Sequence, residues 1–200
     1  MIICIGREFG SGGHEIGKLL AEAMGIPFYD RQLVDVAIKS NEAIAEAIER
    51  VDERKTNTFL YSVWYETVDK ELGGMPSNDI LFKLQSEAIV ELSQSGEGAF
   101  VGRCADFILD KAEIEHISLF IAAPFSDRVK RKMDLLQKEE KVVTALVRKT
   151  DKQRKAYYNY YTNGSWGKPD QYDLCINSSV MRIEGSVQML RTIMGQRNEI

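Results

Sequence analysis

No stretch of the 200 residues approaches 18 uncharged apolar positions, so the sequence offers no transmembrane helix. The start, MIICIGREFGSGG, has no basic segment ahead of a long apolar run, and nothing there reads as a secretory signal. Cysteine is scarce. Cys4, Cys104 and Cys175 cannot all pair, and none shows metal-ligand spacing. They read as reduced thiols, with a cytoplasmic location expected. Excess basic charge is also missing. There are 26 Lys and Arg against 30 Asp and Glu, a net of −4, which argues against a general nucleic-acid binder. No internal repeat or low-complexity segment occurs. At 44% apolar and 28% charged, the composition is that of a folded globular chain.

The charge that is present is unevenly spread. Residues 125–168 carry twelve Lys and Arg against five Asp and Glu. A basic segment in an acidic chain suggests a local anionic ligand, although a solvated helix face has the same composition.

Apolar runs alternate with helical patterns. Ile2 to Ile5 reads as a buried strand, followed by a glycine-rich turn over residues 6–13 and a helix from His14 to Met24. Gly25 is the stop signal. Pro27 to Tyr29 reads as a second strand, and a helix is expected from Asp30 or Arg31 to Lys39. Residues 41–97 read as mostly helical, with a break at Gly73 to Pro76 and an amphipathic stretch from Asp79 to Leu92. Further strands are expected at 98–102, 117–122 and 172–176, with helices at 126–138, 141–161 and 184–196. This alternation implies a parallel sheet covered on both faces, with ligands at the carboxyl ends of the strands.

The turn Gly6-Arg-Glu-Phe-Gly-Ser-Gly-Gly13 is the sharpest local feature. One reading is a phosphate-binding loop, in which glycines let backbone N–H groups approach a phosphate at a helix N-terminus. The full G-x-x-x-x-G-K-[ST] pattern is not met, because Gly13 occupies the lysine position and no Ser or Thr follows. His14 and Lys18, four apart on one helix face, are the nearest basic candidates. A second reading is a dinucleotide fold, with Asp30 about 20 residues on to hold a ribose. A third is a tight turn without a ligand.

Several motifs fall in order along the chain. They are Ile3 to Gly17 with its glycine turn, Gly25-Ile-Pro-Phe-Tyr-Asp-Arg31, Val101-Gly-Arg-Cys-Ala-Asp106, Ala122-Ala-Pro-Phe-Ser-Asp-Arg128, Thr150 to Tyr158, and Tyr172-Asp-Leu-Cys-Ile-Asn177 with Trp166. Together they resemble the cytidylate kinase-like family. The resemblance implies a three-layer α/β/α P-loop kinase-like fold with a sheet of about five parallel strands. Its core is expected over 1–40, 98–124 and 170–200 of a single domain, with a helical acceptor-side insert at 41–97 and a basic lid at 125–168. It implies ATP-dependent phosphoryl transfer, with Mg²⁺, to a nucleoside monophosphate such as CMP or dCMP. Gly10, Ser11, Gly12, Gly13, His14 and Glu15 are then expected to hold the donor phosphates, and Asn177 to lie near the adenine. Glu15 is the candidate Mg²⁺ ligand. Asp30, Arg31, Arg103 and Asp106 are the acceptor-side candidates, with Cys104 where the family carries an acid. Arg128 and Arg154, with His14 and Lys18, are the candidates for charge neutralisation during transfer.

The tyrosines at 157, 158, 160 and 161 read as a core-packing helix face. The aromatic patch of Phe59, Tyr61, Trp64 and Tyr65 reads as core, interface or binding wall, and a homodimer is the default partner. No nucleic acid or membrane partner is expected. Two alternatives to a kinase remain: a nucleotide or phosphate sensor without turnover, and a dehydrogenase. Against the latter, no Tyr-x-x-x-Lys occurs in the chain.

Overall fold

The strands form one five-stranded sheet in the order β2-β3-β1-β4-β5, and every adjacent pair is parallel. The structure is a computed structural model that describes residues 1–30 and 77–197. The elements are β1 (Ile2–Arg7), α1 (Gly13–Met24), β2 (Phe28–Tyr29), α2 (Ser77–Ser93), β3 (Gly98–Val101), α3 (Ala105–Lys111), β4 (Ile117–Ala122), α4 (Phe125–Leu136), α5 (Glu140–Thr162), β5 (Leu174–Asn177) and α6 (Ser178–Arg197). A 3₁₀ turn, Pro169–Gln171, precedes β5. This is the α/β fold expected from the alternation of strands and helices. Among the described residues no helix is long and apolar enough to cross a membrane.

Alternation within the strands explains the layers. Ile3 and Ile5 of β1, Leu119 and Ile121 of β4 and Ile176 of β5 join Ile16 and Leu20 of α1 and Leu190 and Met194 of α6 in one buried cluster. The intervening residues face the other way. There Phe120 packs edge-on against Trp166 (centroids 5.3 Å apart) and at 4.9 Å from Tyr172. Gly6 makes room for that group, since a Cβ on it would sit 2.9 Å from Phe120. Buried on both faces, β3 and residues 2–5 of β1 read in sequence as unbroken apolar runs.

Several boundaries differ from expectation. β1 continues two residues past Ile5, because β4 extends alongside it and pairs Gly6 with Phe120 and Arg7 with Ile121. Arg7 is therefore a strand residue, not part of the turn. Seven-residue α3 is too short for a periodic signal; it buries Ala105, Ile108 and Leu109. α6 begins directly after β5, six residues before the expected Glu184, and its helical path breaks at Arg182 (φ +56°, ψ −175°). In α2, Leu81, Gln85, Ala88 and Ile89 are buried, at the spacing of one helix face. The helix expected from Asp30 or Arg31 to Lys39, the break at Gly73 to Pro76 and the patch at Phe59, Tyr61, Trp64 and Tyr65 lie outside the described residues, as does Arg31.

Candidate functional site

The glycine loop between β1 and α1 takes its shape from two left-handed positions. Gly10 (φ +89°) and Gly12 (φ +81°) adopt conformations that disfavour a side chain. Contact adds a second reason at Gly10, where a Cβ would lie 2.7 Å from the Arg128 carbonyl oxygen. The first turn of α1 bonds back through Ile16 N–H to Gly12 O at 2.9 Å. The amides of His14 and Glu15 precede that bond and have no acceptor within the helix. Oriented this way, with the positive end of the helix dipole, they suit an anion. Buried Ser11 braces the loop. Its hydroxyl donates to Glu8 O (2.9 Å), and its carbonyl accepts from Ser178 Oγ (2.6 Å) at the start of α6. Across the loop mouth, Arg131 of α4 pairs with Glu15.

An ionic clamp joins this loop to the helices that follow β4. Arg128 is 6% exposed. Its Nε donates to Ala123 O (3.0 Å) and its Nη1 to Phe9 O (3.2 Å). The same guanidinium pairs with Asp151 of α5, and with Glu8 at 3.3 Å. Phe9 N–H donates to Asp151 Oδ1 (2.7 Å), and Ala123 N–H to Glu8 Oε2 (3.0 Å). Two loops and the middle of α5 therefore meet on one arginine. Val129, Val143 and Val147 form a small apolar cluster between α4 and α5, with Phe9 against it.

A cleft opens at the carboxyl ends of β1 and β3. Arg7, Arg103 and Arg154 line it together with Asp106, Tyr157, Tyr158, Trp166 and Tyr172. Arg154 reaches in from α5 and donates to Arg7 O (2.9 Å). Arg103 stands in an unusual turn. Gly102 (φ +83°), Arg103 (φ +60°) and Cys104 (φ +56°) are successive left-handed residues. Two non-glycine residues in that region cost about 1–2 kcal/mol each, and such strain concentrates where a side chain must be aimed. The Arg7 guanidinium lies directly over Gly102, where a Cβ would collide with it. Arg7 Nε is shielded from solvent and has no hydrogen-bond acceptor among the described residues. Burial, then the charges of Arg154 and Arg103, push Arg7 below the usual arginine range, and Asp30 opposes them. The guanidinium nonetheless keeps its charge at neutral pH. A buried cation facing like charges favours an anionic ligand.

Asp106 is the carboxyl of this cleft. Tyr158 donates to its Oδ2 at 2.8 Å. Burial pushes Asp106 up, and that hydrogen bond pulls back only in part. Cys104 is buried in the turn that leads to Asp106. Its thiol is pushed up to about 12 by burial, with Asp106 adding to the effect, so it is neutral at physiological pH and is no substitute for a carboxylate. The raised Asp106 gives a signed prediction. The unfolded chain releases this proton at lower pH than the folded one, so the ionised carboxyl weakens folding once pH exceeds the ordinary Asp value near about 4. Asp106→Asn, which still accepts from Tyr158, is expected to be more stable than the parent at neutral pH. The gap should close as pH falls below that value. Urea titrations from acid to neutral pH check it.

The structure gathers some of the expected residues and separates others. Arg103, Asp106 and Arg154 share the cleft. His14 and Asp30 meet at 3.1 Å, an exposed histidine beside a half-buried carboxylate. Gly10, Ser11 and Gly12 lie in the loop, and Gly13, His14 and Glu15 open α1. Asn177 caps α6, its Oδ1 accepting from Ser179 N–H (3.0 Å). Lys18 is exposed and faces Glu22 one turn on, away from the cleft. Arg128 belongs to the internal clamp and does not line the cleft; its donors are engaged within the protein. Tyr157 and Tyr158 contribute cleft wall, while Tyr160 is largely exposed. Arg7 is the residue that sequence reasoning missed. Its one signal was position, as a charged residue at the end of an otherwise apolar strand.

Residues 2–180 match the model of the cytidylate kinase-like family. No curated protein matches the chain. Among solved structures it is similar to an uncharacterized protein from Eubacterium ventriosum ATCC 27560, 28% identical, with 98% of each chain covered and a TM-score of 0.72. It is also similar to shikimate kinase from Bacteroides thetaiotaomicron, 18% identical, with 98% of each chain covered and a TM-score of 0.53, a likeness of fold alone.

Proposed function

The chain belongs to the cytidylate kinase-like family, and from that premise we propose that it transfers the γ-phosphoryl group of ATP to a small acceptor in the arginine cleft. A nucleoside monophosphate such as CMP or dCMP is the first candidate acceptor. The observation that carries this reading is a juxtaposition: a glycine loop opening α1 beside a cleft lined by Arg7, Arg103 and Arg154. The loop amides suit the donor phosphates, and the cleft suits an anionic acceptor. In the transfer, the bond from the γ-phosphorus to the bridging oxygen breaks and its electron pair stays on ADP. A bond to the acceptor oxygen forms. Such a reaction asks mainly for alignment and neutralisation of charge, which guanidinium groups supply. An acceptor phosphate, already ionised, needs no general base.

Mg²⁺ neutralises phosphate charge when bound with the nucleotide. Among the described residues no group of three or more His, Cys, Asp or Glu is built to hold a metal. A nucleotide-borne Mg²⁺ needs only one or two protein carboxylates, and Glu15 at the loop mouth fits that role. One observation favours a second reading, a nucleotide sensor without turnover: Gly13 stands where such loops carry their lysine.

The deciding experiment is ATP-to-ADP turnover with Mg²⁺ against a panel of nucleoside monophosphates, run beside calorimetric binding of ATP, NAD and each acceptor. Acceptor-dependent ADP production supports the kinase. ATP binding without turnover at high protein concentration supports the sensor, and NAD binding in place of ATP supports a dehydrogenase. On the kinase reading, Arg103→Ala is expected to raise the acceptor KM about tenfold or more while ATP affinity stays near the parent value, the cost of one charged phosphate contact. Steady-state kinetics with each substrate varied in turn measure both.

A further inference from the structure

We propose that Arg7 supplies the charge that phosphate-binding loops ordinarily draw from a lysine, so that in this chain a cation and a small residue have changed places across the loop. The inference rests on the kinase reading and adds a residue to its machinery. In the G-x-x-x-x-G-K pattern the first position is a glycine and the last a lysine. Aligned on Gly12, this chain has Arg7 at the first position and Gly13 at the last. The two departures are reciprocal.

The structure gives that exchange a steric reason. A Cβ on Gly13 would lie 2.6 Å from Arg7 Cβ and 3.2 Å from Arg7 Cγ. The arginine stem fills the space beside position 13, so Arg7 and a side chain at 13 exclude one another. Gly102 completes the accommodation, because the guanidinium lies where its Cβ would be. The Arg7 carbonyl is fixed by Arg154 at 2.9 Å. Its buried Nε has no acceptor among the described residues, so the site is short of an anion.

Lys132 lies over the Phe9 ring at 4.5 Å, and four further basic groups around the loop have carboxylate partners. Arg128 is held in the internal clamp, Arg131 is on Glu15, His14 is on Asp30, and Lys18 faces Glu22. Arg7 stands between the loop and the cleft, belonging to the strand that feeds the first and lining the second. That is the place for a group that contacts the phosphate being passed between them. The planar fork of arginine can hold two oxygens at once, where lysine is a point charge.

The test compares ATP and ADP, which differ by the phosphate in question, and needs no acceptor. Calorimetry with Mg²⁺ on the parent chain is expected to show tighter binding of ATP than of ADP. Arg7→Met is expected to weaken ATP by about tenfold or more and to leave ADP within about twofold, with Arg7→Lys in between. The double variant Arg7→Gly with Gly13→Lys is expected to recover the ATP preference that Arg7→Gly alone loses. A folded Arg7→Met protein with the parent's ATP-to-ADP ratio overturns the proposal, and so does a folded double variant no better than Arg7→Gly. Should the parent turn over no acceptor, the kinase reading fails while this binding comparison still decides the role of Arg7.

Discussion

Arg128→Met is expected to cost about 3–5 kcal/mol of folding stability, the range for breaking a buried ion pair from one side. Whole domains are stable by only about 5–15 kcal/mol, so this is a large share. The size follows from what the substitution leaves behind. Asp151 and Glu8, largely shielded, lose their cation, and Ala123 O and Phe9 O lose a donor. A methionine of similar reach fills the space and satisfies none of them. Urea unfolding followed by circular dichroism measures the loss. Adding Asp151→Asn and Glu8→Gln to Arg128→Met should recover part of it, because the stranded charges are then gone. A double-mutant cycle on Arg128 and Asp151 should show strong coupling. If Arg128→Met unfolds at the parent's urea concentration, the clamp contributes nothing and Arg128 becomes available for a role on the ligand.

The second large effect is on turnover. With an acceptor identified, Arg154→Ala is expected to lower kcat by about 10²–10³-fold, the usual consequence of deleting one preorganised charge at a reacting group. ATP affinity should change little. Arg154 reaches the cleft from α5 through its contact with Arg7 O, and burial holds it below the usual arginine range despite the opposing charge of Asp151. Both features preorganise it, since it is already desolvated and already fixed. Arg154→Lys keeps the charge and loses the fork, so an intermediate rate is expected. Steady-state kinetics paired with ATP calorimetry separate the two quantities. Full turnover in a folded Arg154→Ala protein would make this residue a prop for β1 rather than part of the reaction.

Arg128 and Arg154 also mark what a sequence can convey. Both are arginines on helices after β4, and in the sequence both point to phosphate. Tertiary placement alone separates them: one is enclosed by two carboxylates and two carbonyls, the other reaches the open end of a strand. The fold was legible because strands buried on both faces are mainly apolar, as β3, residues 2–5 of β1 and all of β4 but Ser118 are. The glycine loop was legible because few structures need four glycines in eight residues. Arg7 was not, because it reads as turn filler until the pairing with Ile121 draws it into the strand. Nor was the turn at Gly102 to Cys104, since neither arginine nor cysteine announces a left-handed backbone. The seven residues of α3 show barely two helical turns, too few for periodicity to register.

The amide of Phe9 offers a clock for this loop. Its hydrogen is held by Asp151 Oδ1 at 2.7 Å, a bond that spans 142 positions of chain and belongs to no helix or strand ladder. Solvent reaches that hydrogen only when α5 lets go of the loop. Its deuterium exchange therefore times the separation of those two elements, one opening event per exchanged proton when reclosing is slow. A single resonance in a spectrum would thus report how often the loop is released, with and without nucleotide.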